Sequence, residues 1–187
     1  MGGSMSSVVI SGDTSGAITL AAPSVSGTNT ITLPASTGTV LTTGSPQSGG
    51  VIQVVQSTYS TAASTTSSTF TSTGLSASIT PKFSTSKVLI LVYIAGAVYN
   101  VSGVGNGNYQ VQRGGTAVAG SSSATGSQVY INTTPTNNSL VVSFSGLDSP
   151  ATTSSTTYTV YMNAQAGTIY AQSNNLTSYI QLLEVAA

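Results

Sequence analysis

Apolar residues in this chain recur at every second position or in short unbroken runs, and nowhere at the 3.6-residue spacing of a helix face. Leu75, Ala77 and Ile79 alternate with Ser76, Ser78 and Thr80, which predicts a strand with one buried face, ended by Pro81. Lys87 to Tyr99 is continuously apolar from Val88 onward. That pattern fits a central strand covered on both faces. Val, Ile and Tyr crowd the run and Gly96 interrupts it, so its length does not argue for a helix. Asn100 to Asn108 reads as a Gly/Asn loop. Tyr109 to Arg113 and Thr116 to Ala119 flank Gly114-Gly115, whose freedom at positive φ suits a two-residue hairpin turn. Val51 to Gln56, Gln128 to Thr133, Leu140 to Ser145, Thr156 to Ala164, Thr168 to Ala171 and Ser178 to Val185 read as further strands. About nine strands at roughly ten-residue spacing predict an all-β fold, an antiparallel β-sandwich or jelly roll.

The first fifty residues differ from the rest. They hold three of the six prolines and no aromatic residue. Ile18-Thr19-Leu20 recurs as Ile31-Thr32-Leu33, and a weaker unit follows at Gly38-Thr39-Val40-Leu41. Each is a short strand bounded by turn formers, with Ile and Leu on one face and Thr on the other. So thin a strand set cannot bury an apolar face alone. Either three chains wrap so that Ile18, Leu20, Ile31 and Leu33 meet at a common axis, or these strands pack against the C-terminal part of their own chain. The expected organisation is an extended β-strand anchor or shaft over residues 1–44, a linker at 45–50 carrying Pro46 and Gly49-Gly50, and a sandwich domain over 51–187.

The side-chain inventory argues against an enzyme. His and Cys are absent and only 3% of residues are charged, against roughly 25% in an average domain. The carboxylates are Asp13, Asp148 and Glu184, widely separated in sequence. General acid–base catalysis needs a group that trades protons near neutral pH. A thiolate nucleophile is excluded, and the abundant Ser and Thr hydroxyls need an adjacent base, for which only Lys82, Lys87, a carboxylate or the amino terminus could serve. No catalytic residue, metal ligand set or cofactor site is therefore expected. Three basic residues are too few to neutralise a nucleic-acid backbone or to hold an anionic membrane. The longest apolar run, Val88 to Val98, is too short to span a bilayer, which needs about 20 residues. Disorder is not expected either, because hydrophobic residues make up 39% of the chain and are mostly strand formers. A chain with so little charge is poorly protected against association as a free monomer, a problem that a permanent assembly removes.

Short motifs add little. Asn-x-Ser/Thr sequons at Asn100, Asn132, Asn137 and Asn175 follow by chance from the Ser/Thr content. The glycine run from Gly103 to Gly107 lacks the following Lys-Ser/Thr of a phosphate loop. Asp148-Ser149-Pro150 reads as a turn. Glu184 is left open between a solvent-facing position and a pairing with Arg113 or a lysine. Nine Tyr residues suit either a core or an adaptable binding surface. Tyr99, Asn100, Tyr109 and Tyr130, in or beside loops rich in Asn, Gly and Ser, are the candidate binding set.

Longer phrases carry a resemblance. Ser11-Gly12-Asp13-Thr14-Ser15-Gly16-Ala17-Ile18-Thr19-Leu20, then Gly27-Thr28-Asn29-Thr30-Ile31-Thr32-Leu33-Pro34 and Thr37-Gly38-Thr39-Val40, resemble a segment common in bacteriophage tail fibres and other virion proteins. Thr73 to Pro81, Thr85 to Ile90, Asp148 to Thr153 and Ile180 to Val185 resemble the same group. The resemblance implies a homotrimer with an N-terminal β shaft or anchor and a jelly-roll-like C-terminal knob. It implies a place in the phage particle, assembled in the host cytoplasm, with other virion proteins and a host surface glycan or protein as partners. The chain is shorter than a typical long fibre. Two other roles therefore stand beside the tail fibre: a capsid decoration or cement protein, and a free carbohydrate-binding module.

Overall fold

A computed structural model describes residues 7–11, 14–21, 44, 46–99, 103–120, 128–133 and 138–187. The chain divides into two compact units, residues 1–40 and 41–187.

In the first unit, β1 (Ser7–Ser11) and β2 (Ala17–Ala21) form an antiparallel hairpin. Its register places Ile18 opposite Ile10 and Leu20 opposite Val8. The Ile-Thr-Leu strand thus forms as expected, but it pairs with Val8-Val9-Ile10, a strand that the repeat did not reveal. Ile31 and Leu33 lie outside the described residues.

The second unit is all-β and every pairing in it is antiparallel. Its strands are β3 (Val51–Tyr59), β4 (Ala63–Thr65), β5 (Thr71–Ile79), β6 (Lys87–Tyr99), β7 (Gly103–Arg113), β8 (Thr116–Gly120), β9 (Gln128–Thr133), β10 (Asn138–Asp148), β11 (Thr156–Ala166), β12 (Ile169–Ala171) and β13 (Ser178–Val185). One sheet runs β10-β6-β13-β3. The other runs β5-β11-β7-β8, with β9 also paired to β7. A two-stranded β12-β4 pair completes the set. Gly49 and Gly50, read as linker, exchange backbone hydrogen bonds with Ala186 and so prolong the β3–β13 ladder.

The two large sheets share one core. Val88, Ile90, Val92 and Ile94 of β6 point inward, as the period of two requires, beside Ile180 and Leu182 of β13. They meet Leu75, Ala77 and Ile79 of β5, Tyr109 and Val111 of β7, and Tyr158, Val160 and Met162 of β11. Each such side chain contributes about 1.5–3 kcal/mol by leaving water. Ile169 and Ala171 of β12 are buried in the same cluster.

The segment Asn100 to Asn108 corrects the expected loop. From Gly103 onward it is strand, because β11 and β9 supply hydrogen-bonding partners on either side of it. Pairing has overridden the weak strand propensity of Gly and Asn.

Gly96 interrupts the pattern of β6 without ending the strand. Leu140 opposes Ala97 and Val142 opposes Ile94, so two steps along β10 match three along β6. The extra residue is a β-bulge, and Gly96 adopts φ +62° there. A Cβ at this site would stand 2.6 Å from the Ser173 nitrogen and 2.7 Å from its oxygen. Ser173 begins a single 3-10 turn (Ser173–Asn175), seated on the bulge by the Gln172 N–H donating to the Ala95 carbonyl at 2.9 Å. Gly96→Ala therefore meets both an unfavourable φ and backbone on the far side, and will lose about 2–3 kcal/mol in denaturant unfolding. An unchanged midpoint would mean that the Ser173 turn yields at no cost.

Candidate functional site

The charged side chains are mostly spent inside the fold. Asp148, at the end of β10, is nearly buried. It accepts from Arg113 Nε at 2.7 Å, from Arg113 Nη2 at 3.2 Å and from the Tyr158 hydroxyl at 2.8 Å. It is thus a tie between β10, β7 and β11 rather than only a turn former. Glu184 is fully buried in β13. Its Oε2 accepts from Gln53 Nε2 at 2.5 Å, and its Oε1 from the backbone N–H of Lys82 at 2.8 Å and of Phe83 at 3.3 Å. Burial alone would raise this carboxyl, but the hydrogen bonds outweigh it and leave Glu184 below the usual carboxylate value. Neither solvent nor Arg113 is its partner; the Lys82 backbone is.

The four candidate surface residues separate. Tyr109 is fully buried and its hydroxyl donates to the Tyr170 carbonyl. It belongs to the core, where it shares its inward face with Val111, and its neighbours Asn108 and Gln110 are buried as well. That corrects its reading as a binding residue. Tyr99 closes β6 opposite Asn138. Asn100 lies outside the described residues. Tyr130 is 60% exposed on β9.

Around Tyr130 the outer face of the five-stranded sheet carries a row of amides. Asn106 of β7 is the direct cross-strand partner of Tyr130, so their side chains share a face. Asn106 Nδ2 donates to Gln165 Oε1 of β11 at 2.6 Å, and Gln128 Nε2 of β9 donates to Asn106 Oδ1 at 2.8 Å. The three amides thus form one directed chain across three strands. Sequence reading missed them because Asn106 fell inside the supposed loop. The signal was present in the alternation Asn106, Asn108, Gln110, Gln112, which marks one strand face.

Beside this row the sandwich opens. At one end β10 and β8 lie so close that a Cβ on Gly146 would fall 2.4 Å from Ala119 Cβ. Further along, β10 and β9 leave a cleft of about 320 Å³ lined by Gln128 to Tyr130 and Leu140 to Ser143.

The outer face of the four-stranded sheet is different in character. Register aligns Leu147, Leu89, Leu183 and Val54 in one row across β10, β6, β13 and β3. Ser145, Leu91, Gln181 and Gln56 make the next row, then Ser143, Tyr93, Tyr179 and Thr58, in which the two tyrosine rings stack with centroids 5.0 Å apart and planes 7° from parallel. Val54 is 58% exposed and Leu147 55%, while Leu89, Leu91, Tyr93 and Leu183 are half-buried. No carboxylate and no arginine lies in these rows. Lys87, opposite Val185, stands at the end of β6.

No protein-family model matches the chain, and no curated protein shows detectable similarity to it.

Proposed function

We propose that this chain is a non-enzymatic structural subunit of a bacteriophage virion: a short homotrimeric tail fibre that docks by its N-terminal unit and meets the host surface with its C-terminal domain. The observation that carries the reading is the apolar outer face of the β10-β6-β13-β3 sheet. An antiparallel sheet that meets water on one side alternates apolar and polar residues. β6 does not, since Leu89, Leu91 and Tyr93 are as apolar as the inward Val88, Ile90 and Val92. Its sequence is that of a strand covered twice, and only one cover is the opposing sheet. The other cover is supplied by further copies of the chain. An apolar row such as Leu147-Leu89-Leu183-Val54, flanked by uncharged polar residues and stacked tyrosines, suits a permanent interface.

The sandwich takes jelly-roll wiring in this reading. The chain crosses between the two sheets from β3 to β5, β5 to β6, β6 to β7, β9 to β10, β10 to β11 and β11 to β13, and only β7–β8 is a hairpin within a large sheet. The threefold state agrees with the strand repeat of the N-terminal unit and with the virion-fibre phrases in the sequence. Sedimentation equilibrium of the whole chain will give a mass three times 18.6 kDa, and electron microscopy of intact particles will place the protein at the tail. A stable monomer at micromolar concentration removes the proposal.

A further inference from the structure

The second exposed face has a different chemistry. Asn106, Gln128 and Gln165 form a hydrogen-bonded amide chain in which each donor points the same way, from Gln128 through Asn106 to Gln165. One end leaves the Gln128 carbonyl oxygen as an acceptor. The other leaves the Gln165 NH2 as a donor. Asn106 retains a second N–H between them. The chain is polarised along its length, so its terminal groups bond more strongly than isolated amides. Tyr130 stands beside Asn106 with its ring exposed. The cleft between β9 and β10, with Gln128 and Tyr130 in its wall, continues the surface.

Charge is missing from this site. Of the charged residues on the five-stranded sheet and its edges, Arg113 lies seven residues along β7 from Asn106, roughly 23 Å away at strand rise, and is held by Asp148. An anionic ligand would therefore find no counter-charge here, and a cationic one no carboxylate. A ligand that presents both donors and acceptors at close spacing, together with an apolar C–H face for the tyrosine ring, is a neutral sugar. A hydroxyl both gives and accepts a hydrogen bond, matching the mixed ends of the amide chain. The aromatic ring offers a low-entropy contact for the sugar's C–H face.

We infer that Tyr130, Asn106, Gln128 and Gln165 form a binding site for a neutral glycan, with the cleft between β9 and β10 taking an adjoining sugar residue. This rests on the host-contacting role proposed above and names the ligand of that contact. It also divides the labour of the domain. The apolar sheet face is used for assembly, and on the opposite sheet Gln128, Tyr130 and Gln165 stay open to ligand while Asn108, Gln110 and Asn163 are buried.

The test uses the full chain on immobilised neutral oligosaccharides (glucan, mannan and galactan fragments), with polygalacturonate and a bare surface as controls. At least one neutral oligosaccharide will bind saturably, and polygalacturonate will not bind more tightly. Tyr130→Ala will weaken that binding about tenfold or more, which corresponds to about 1.4 kcal/mol. Tyr130→Phe, which keeps the ring, will stay within about threefold. Gln128→Ala with Gln165→Ala will weaken it while leaving the oligomer mass unchanged. The inference is overturned if none of the neutral probes binds, if polygalacturonate is preferred, or if binding ignores both the Tyr130→Ala and the double amide variant. In each of those cases a trimer mass leaves the structural-subunit reading standing. A monomer that binds sugar through Tyr130 removes that reading and keeps the site.

Discussion

On the proposed assembly, Leu89→Asp combined with Leu183→Asp will turn the oligomer into monomers that remain folded. The two leucines are cross-strand partners at the centre of the row that runs from Leu147 to Val54. Both are half-buried on the outer face, so in an isolated chain each carboxylate reaches water and the inner core of Val88, Ile90, Leu182 and their neighbours is untouched. In an assembly closed over this face the same carboxylates lose their hydration. The effective penalty for a buried unpaired ion is several kcal/mol, and symmetry repeats both changes in every subunit. Sedimentation velocity reads the mass, and far-UV circular dichroism reads the fold. A trimer that survives both substitutions places its axis elsewhere, and the hairpin of β1 and β2 becomes the next surface to test.

The second large effect concerns Glu184. Glu184→Ala will cost about 3–4 kcal/mol of folding stability, because it strips acceptors from the Gln53 amide and from the Lys82 and Phe83 backbone donors at once, each worth about 1–3 kcal/mol when left unsatisfied. The same residue gives the protein an acid limit. Its folded value is lowered from 4.5, so the folded state binds fewer protons there than the unfolded chain does. The stabilisation is complete above pH 4.5 and is lost as pH falls through the lower folded value. Denaturant midpoints measured from pH 7 down to pH 3 will fall in the parent and fall less steeply in Glu184→Gln. Parallel slopes would show that Glu184 does not carry the acid sensitivity.

Strands whose own residues announce them were legible in the sequence. Lys87 to Tyr99 and Ser178 to Val185 fall at their observed bounds, and Gly114-Gly115 makes its hairpin turn. Strands made by their neighbours were not. Gly103 to Asn108 has the composition of a loop and becomes a strand only because β9 and β11 flank it. The sites follow the same division. Tyr130 was accessible to reasoning about exposed tyrosines near loops, whereas Asn106 was hidden by the mistaken loop. Tyr109 was misjudged although its alternation with Gln110 and Asn108 marked an inward face. Asp148 and Glu184 have partners 35 and 131 residues distant in sequence, and no local pattern encodes such a pairing.

The internal use of Arg113, Asp148 and Glu184 reaches beyond stability. Among the described residues, Lys82 and Lys87 are the charged side chains left exposed. Such a surface generates almost no field at a distance, so it neither attracts nor repels an approaching partner through the Debye layer. Encounter then depends on diffusion, and holding depends on contact at short range. The described surface is nearly the same in fresh water, brine and mildly acidic media. Ionic strength, which governs contacts between charged surfaces, has little purchase on it.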